Sequence, residues 1–393
     1  LAYLFTGMSV LCGFANFSGT LLGSLGLHPS SITLLAVGAG IAWYAAYKDI
    51  QLSALSMLWL EGVSIALILL LGGIIWAHSG FALDWSQLTL KEVTPGHVAM
   101  GLVLVMFSFS GFESATSLGA EAKQPLRNIP RAVMGSVILA SLFFILMTYV
   151  EMLGFSTVGA SLATSEEPLS FLAQQAGVGF LGHWIAFGAL FSFFGCVLGS
   201  INPAARVFFS MAQHGLFHPA MGEVHFSNRT PYVSVALCSV ILFLVPASLA
   251  LFHVPLFECM GYLGAIASYG FLTVYLLISI AAPLYLRKLR QFRYRDGIIA
   301  LLSVGFISIP VLGSIGIPGS TLFPPPDAPY DAFPYLFLLY LLTTCGWFVV
   351  QRLRSPDLAD AMKHSTEALH SRQDYPATAS GLQPLPASQD WID

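Results

Sequence analysis

Hydrophobic positions in this chain run in ten long blocks separated by shorter polar stretches. A bilayer core of about 30 Å takes about 20 apolar residues in a helix, and each block is close to that length. The blocks run approximately 2–26, 30–49, 54–77, 97–121, 131–155, 181–206, 231–252, 257–286, 297–317 and 332–352. Gly26-Leu27-His28-Pro29 punctuates the first pair, and Pro95, Pro130 and Pro231 stand at or before block starts, where a helix tolerates proline. The pattern predicts an all-α membrane domain over 1–354 with about ten transmembrane helices. From Ser355 to Asp393 the chain is polar and rich in Pro, Ser, Gln and Asp. Such a stretch cannot bury enough apolar area to fold alone, which predicts a disordered tail.

Composition sharpens the choice of solvent. Of all residues, 56% are hydrophobic and only 9% charged, against roughly 25% charged in soluble domains, so lipid must cover much of the surface. The placement of charge then orients the chain. Strict alternation of the ten segments puts 15 of the 16 Lys and Arg residues on one side, with Lys91 alone on the other. That side is predicted to be cytoplasmic, the C-terminal tail included. The expected location is the plasma (cell inner) membrane. The basic residues form no patch mixed with surface aromatics, which argues against nucleic acid as a partner. The five cysteines have no C-x-x-C spacing and read as apolar packing residues, and the ten histidines do not cluster with ligand spacing. No metal or cofactor is expected. The chain opens inside an apolar stretch, without Met or a basic leader, which reads as a cut start.

Segment four interrupts its own pattern. Met106-Phe107-Ser108-Phe109-Ser110-Gly111-Phe112-Glu113-Ser114 places two serines, a glycine and a carboxylate together at mid-depth. Backbone groups freed at a helix break find no partner in lipid, so a break survives only where it lines a protein-enclosed or wet cavity. A break aims two half-helix ends at one place: carbonyls from the outer half toward a cation, amide N–H groups from the inner half toward an anion. A zwitterionic amino acid needs both. The plain alternative is a kinked but continuous helix, with Gly111 admitting a close neighbour. Glu113 falls in the first turn of the inner half. An intramembrane carboxylate usually faces the bundle interior, and desolvation disfavours its charged form, so it is a candidate proton carrier; the alternative is a static brace. Glu61, about 10 Å inside segment three, reads equally as an anchor or a relay. In segment six, Gly188, Ser192, Gly195 and Gly199 form a small face suited to close helix packing, and Asn202-Pro203 predicts a kink.

Two stretches resemble the amino acid–polyamine–organocation permeases. Phe109-Ser110-Gly111-Phe112-Glu113, followed by Glu121-Ala122-Lys123-Gln124-Pro125-Leu126-Arg127-Asn128-Ile129-Pro130-Arg131-Ala132, is similar to the family's sixth span and the loop after it. Asn202-Pro203-Ala204-Ala205-Arg206, with Ala212-Gln213-His214-Gly215-Leu216-Phe217-His218-Pro219, is similar to the end of its eighth span. Gln124 replaces an Asn of the family pattern, Gln213-His214 replaces an Arg-Asp pair, and segment three lacks the Lys that some proton-coupled members carry. The resemblance implies an inverted-repeat bundle of the 5+5 type plus two C-terminal helices. Segment one then corresponds to the family's third span, so the bundle is expected to be incomplete at the N-terminus. The absent first span would carry the glycine-rich break that binds the substrate carboxylate. Position by position, the resemblance implies that Phe107 covers the substrate, that Ser110, Gly111 and Phe112 form the unwound substrate-binding segment, and that Glu113 serves gating and proton sensing.

The function expected is secondary transport of an amino acid or related amine by alternating access, coupled to protons or to exchange. A nutrient sensor with the same fold is the first alternative. A membrane-embedded enzyme is the second, and it is disfavoured: there is no H-E-x-x-H or G-x-S-x-G, and Gly177-Val178-Gly179-Phe180-Leu181-Gly182 joins two apolar segments rather than a strand and a helix.

Overall fold

The computed structural model describes residues 1–48, 51–81, 83–89, 93–118, 122, 124–162, 165, 167–228 and 230–354. Lys91, Glu121, Lys123, Glu166, Arg229 and the tail from Ser355 lie outside the described residues. Eleven α-helices follow one another: α1 (Ala2–Ser24), α2 (Ser31–Lys48), α3 (Gln51–His78), α4 (Pro95–Phe109), α5 (Pro125–Val158), α6 (Pro168–Gln175), α7 (Gly179–Gln213), α8 (Tyr232–Leu251), α9 (Leu256–Lys288), α10 (Tyr294–Ile315) and α11 (Phe333–Arg354). Ten of them coincide with the ten apolar blocks. The eight-residue α6 is additional and occupies what reads as a plain loop in the sequence. Among the described residues, eight helices are long and apolar enough to cross a bilayer unaided, namely α1, α3, α5 and α7 to α11. α2 falls short because Gly, Ser, Trp, Tyr and Lys48 dilute its 18 residues, and α4 because it stops after 15.

Helix boundaries differ from the apolar blocks for identifiable reasons. α5 begins at Pro125, not near Pro130, so Pro125 takes the first-turn position where its missing N–H costs nothing. Pro130 then sits inside the helix and removes one backbone bond. α7 runs through Pro203 and continues to Gln213, and the turn that closes it ends on Gly215 at φ 72°.

α1 is the axis of the bundle. It packs along α7 and α9 and also touches α2 and α8. Small residues allow this. A Cβ on Gly13 would fall 2.4 Å from the Phe193 ring of α7, and one on Gly38 of α2 would fall 2.7 Å from the Phe14 ring of α1. Met8, Leu11 and Cys12 of α1 share a buried cluster with Leu35, Val197, Ile201, Leu242 and Leu263. A second cluster joins α3, α5, α6 and the N-terminal part of α7 around Leu71, Val150, Leu172 and Ile185. α7 therefore belongs to both. Outward faces are apolar, as on α5, where Leu139 and Ile145 are 70% and 69% exposed. Hydroxyls within the spans are silenced internally: those of Ser18, Ser141, Ser200, Ser239, Ser268, Ser279 and Ser308 each donate to the carbonyl four residues earlier at 2.7–3.0 Å. This is an integral membrane protein of the all-α class.

Candidate functional site

α4 stops at Phe109. Ser110 closes the last turn, its N–H on the Phe107 carbonyl at 3.1 Å and its hydroxyl on the Met106 carbonyl at 2.9 Å. Gly111 then turns the chain at φ 113°, a conformation that any side chain would strain. Phe112–Leu118 continues as a 3₁₀ helix. The expected break is present at the expected place. The second half, expected over about 112–121, takes a 3₁₀ rather than an α-helical course over Phe112–Leu118. The Gly111 carbonyl accepts from the Ser114 N–H at 3.0 Å and from the Ser114 hydroxyl. Beside Gly111 there is open space, since an added Cβ would meet nothing within 4 Å. The same holds at Gly199 of α7, whereas Ser192 is half-buried and its hydroxyl donates to Glu61.

The Glu113 carboxylate folds back over the break. Its Oε2 accepts from the Gly111 N–H at 3.1 Å and from the Tyr275 hydroxyl of α9 at 2.7 Å. Oε1 is buried and has no hydrogen-bond partner among the described residues. The amide end expected to hold a substrate anion is thus held by the chain's own carboxylate. Rings enclose it. Phe112 stacks on Tyr275 at 5.4 Å, Phe271 stacks on Tyr275 at 6.0 Å, and Tyr3 of α1 meets Phe271 edge-on at 5.6 Å. Tyr3 is also near enough to Glu113 to interact electrostatically. Three elements, α1, the break and α9, therefore converge on one carboxylate.

Of the five residues singled out in the sequence, Gly111, Phe112 and Glu113 come together. Ser110 lies beside them with its hydroxyl committed to α4. Phe107 stands apart, its ring 3.0 Å from where a Cβ on Gly264 would be. Gly264 is what lets that ring approach α9. Tyr275, Phe271 and Tyr3 complete the site and were not predicted. The i, i+4 aromatic pair Phe271/Tyr275 shares one helix face, but aromatic pairs are common in apolar helices.

A sequence profile described as amino acid permease matches residues 6–352. The chain belongs to the amino acid permease family. Relatives of this family member include the branched-chain amino acid permease BcaP of Bacillus subtilis (strain 168), 26% identical over 257 residues, which is 65% of this chain and 47% of that protein. The L-methionine/branched-chain amino acid exporter YjeH of Escherichia coli (strain K12) is 26% identical over 302 residues, 74% of this chain and 66% of that protein. BcaP of Lactococcus lactis subsp. cremoris (strain MG1363) is 24% identical over 217 residues, covering 55% of this chain and 43% of that protein. The chain spans about half the length of the two BcaP relatives it matches.

Proposed function

We propose that this family member acts in secondary transport, moving an amino acid, or a related amine, across a cell membrane by alternating access. The observation that carries the reading is Glu113, tied to the break by the Gly111 amide and to α9 by the Tyr275 hydroxyl, with one oxygen left over. An intramembrane carboxylate at a broken helix belongs on a substrate or ion path. As a carboxylate, Glu113 accepts from both donors and ties the break to α9. Once protonated on the unpartnered Oε1, the group is neutral, the two hydrogen bonds that Oε2 accepts weaken, and the 3₁₀ segment is freed to move. Phe107, Ser110, Gly111 and Phe112 would contact the substrate, and Glu113 would link proton binding to the opening of the site. The named substrates of several relatives, branched-chain amino acids, methionine and aromatic amino acids, support an apolar side chain on the substrate.

Uptake tests this reading. The full-length protein in proteoliposomes is expected to accumulate labelled leucine or methionine and to respond to an imposed pH gradient. Glu113→Gln keeps the volume and removes the titratable group, so it should flatten the pH dependence more than it weakens substrate binding. A Gln variant with the wild-type pH profile would leave Glu113 as a structural brace. Saturable binding with no uptake would favour a sensor instead.

A further inference from the structure

α11 packs on α9 and leaves a gap toward the rest of the bundle. The gap is a cavity of about 520 Å³ between α11, the C-terminal end of α7 and the first turn of α1. Leu4, Phe208 and Met211 line it from the bundle, and Tyr340, Trp347 and Phe348 line it from α11. A run of rings crosses it: Phe208 meets Phe217 at 5.4 Å, and Phe217 meets Trp347 at 5.5 Å. No Lys, Arg, His, Asp or Glu is among its lining residues. Its threonine hydroxyls are committed within α11, Thr343 to the Leu339 carbonyl at 2.7 Å and Thr344 to those of Tyr340 and Leu341 at 3.0 Å. Tyr340, Trp347 and Phe348 each keep more than a third of their surface exposed, so the cavity is open at its α11 side.

Water gains little in such a cavity, because a buried water needs two to four polar partners. Left empty, the lining would forfeit its dispersion contacts on one side. A hydrocarbon chain supplies those contacts, and the bilayer offers one at the open side. Charge then selects the headgroup. Arg352 is exposed and follows Phe348 by four residues, so it continues the same face one turn beyond the cavity. α11 runs parallel to α9, since Phe333 meets Tyr262 at 5.7 Å and Phe337 meets Tyr269 at 5.8 Å. The two C-terminal ends therefore leave the bilayer on one side, and α9 brings the exposed Arg287 and Lys288 there. We propose that this cavity binds one acyl chain of an anionic glycerophospholipid of the phosphatidylglycerol class, with the phosphate held at Arg352. Trp347 and Tyr340 suit the interfacial end of such a site. Tyr3 lines the cavity and also interacts with Glu113. The site rests on the transporter reading for its consequence, which is that lipid composition would tune the break through Tyr3.

The test is tryptophan quenching by lipids brominated on their acyl chains, with the full-length protein in phosphatidylcholine nanodiscs. The Trp347 signal is the difference between the wild type and Trp347→Phe, which keeps a ring against Phe217. Brominated phosphatidylglycerol should quench it about five-fold more effectively than brominated phosphatidylcholine at the same low mole fraction, the worth of one basic residue beside an anionic lipid. Arg352→Gln should bring the two lipids level. Thr343→Phe, which puts a ring into the cavity, should reduce quenching by both and keeps the test valid should the Gln variant fail to fold. The proposal is overturned by equal quenching from the two lipids in the wild type, or by a preference that survives Arg352→Gln. It is overturned equally by a Trp347 that neither lipid quenches, which would show that protein fills the cavity. Because the readout is binding, selective quenching in a protein that moves no amino acid would overturn the transport reading and leave the site standing.

Discussion

Gly111 decides where α4 stops being an α-helix. At φ 113° it occupies backbone space that L side chains rarely enter, and no neighbour lies within 4 Å of its missing Cβ. Gly111→Ala should therefore cost backbone strain alone, about 1–3 kcal/mol. Thermal unfolding in detergent measures it, and an Ala variant as stable as the wild type would remove strain from the account. Tyr275 matters for the opposite reason: its hydroxyl donates to Glu113 Oε2 at 2.7 Å, beside the Gly111 N–H. Tyr275→Phe keeps the ring stack with Phe112 and deletes that donor. A hydrogen bond to a charged group is worth about 1.5–3 kcal/mol, so the variant should lose stability on that order along with uptake, and an undiminished variant would show that Tyr275 does not hold the carboxylate. Gly111 and Glu113 were legible in the sequence because a glycine and a carboxylate are both out of place in a span. Tyr275 was not, since its significance lies in a contact 162 positions away.

Helices pack here by close approach of small residues, and α1 against α7 shows how little room is left. Gly13 faces the Phe193 ring so closely that an added methyl would overlap three ring atoms, at 2.4, 2.7 and 2.8 Å. Overpacking of this kind costs about 1–3 kcal/mol, so Gly13→Ala should lower the unfolding temperature, whereas Gly199→Ala, which meets nothing within 4 Å, should not. Equal shifts in the two variants would contradict the packing described. The existence of the ten long helices was legible because apolar length is a strong signal. Their ends were less so. Proline marks a helix start only when it falls in the first turn, and nothing local tells Pro125 from Pro130 as that residue. The 3₁₀ course after Gly111 was also hidden. The side chains of Ser114 and Thr116 bond back to the Gly111 and Glu113 carbonyls, a short-range competition with helical bonding that a hydropathy pattern does not register.

The whole chain should sit in the bilayer with its basic loops on one side. A single cysteine placed at Gln291, between α9 and α10, should stay unlabelled by an impermeant maleimide added outside intact cells, while one at Ser320, between α10 and α11, should be labelled. The reverse pattern would invert the orientation. The broken helix also has a consequence for how the protein is made. α4 has 15 residues, about 22 Å of helix, against a hydrocarbon core of about 30 Å. When it leaves the ribosome it is too short to hold a transmembrane position unaided, and the segment after it carries an unpaired carboxylate. The helices that α4 packs on, α9 and α10, come much later in the chain, and the hydroxyl that bonds Glu113 is synthesised 162 residues after it. Biogenesis of this protein thus has a waiting period, in which the insertion machinery must shelter α4 and its carboxylate until α9 emerges to receive them.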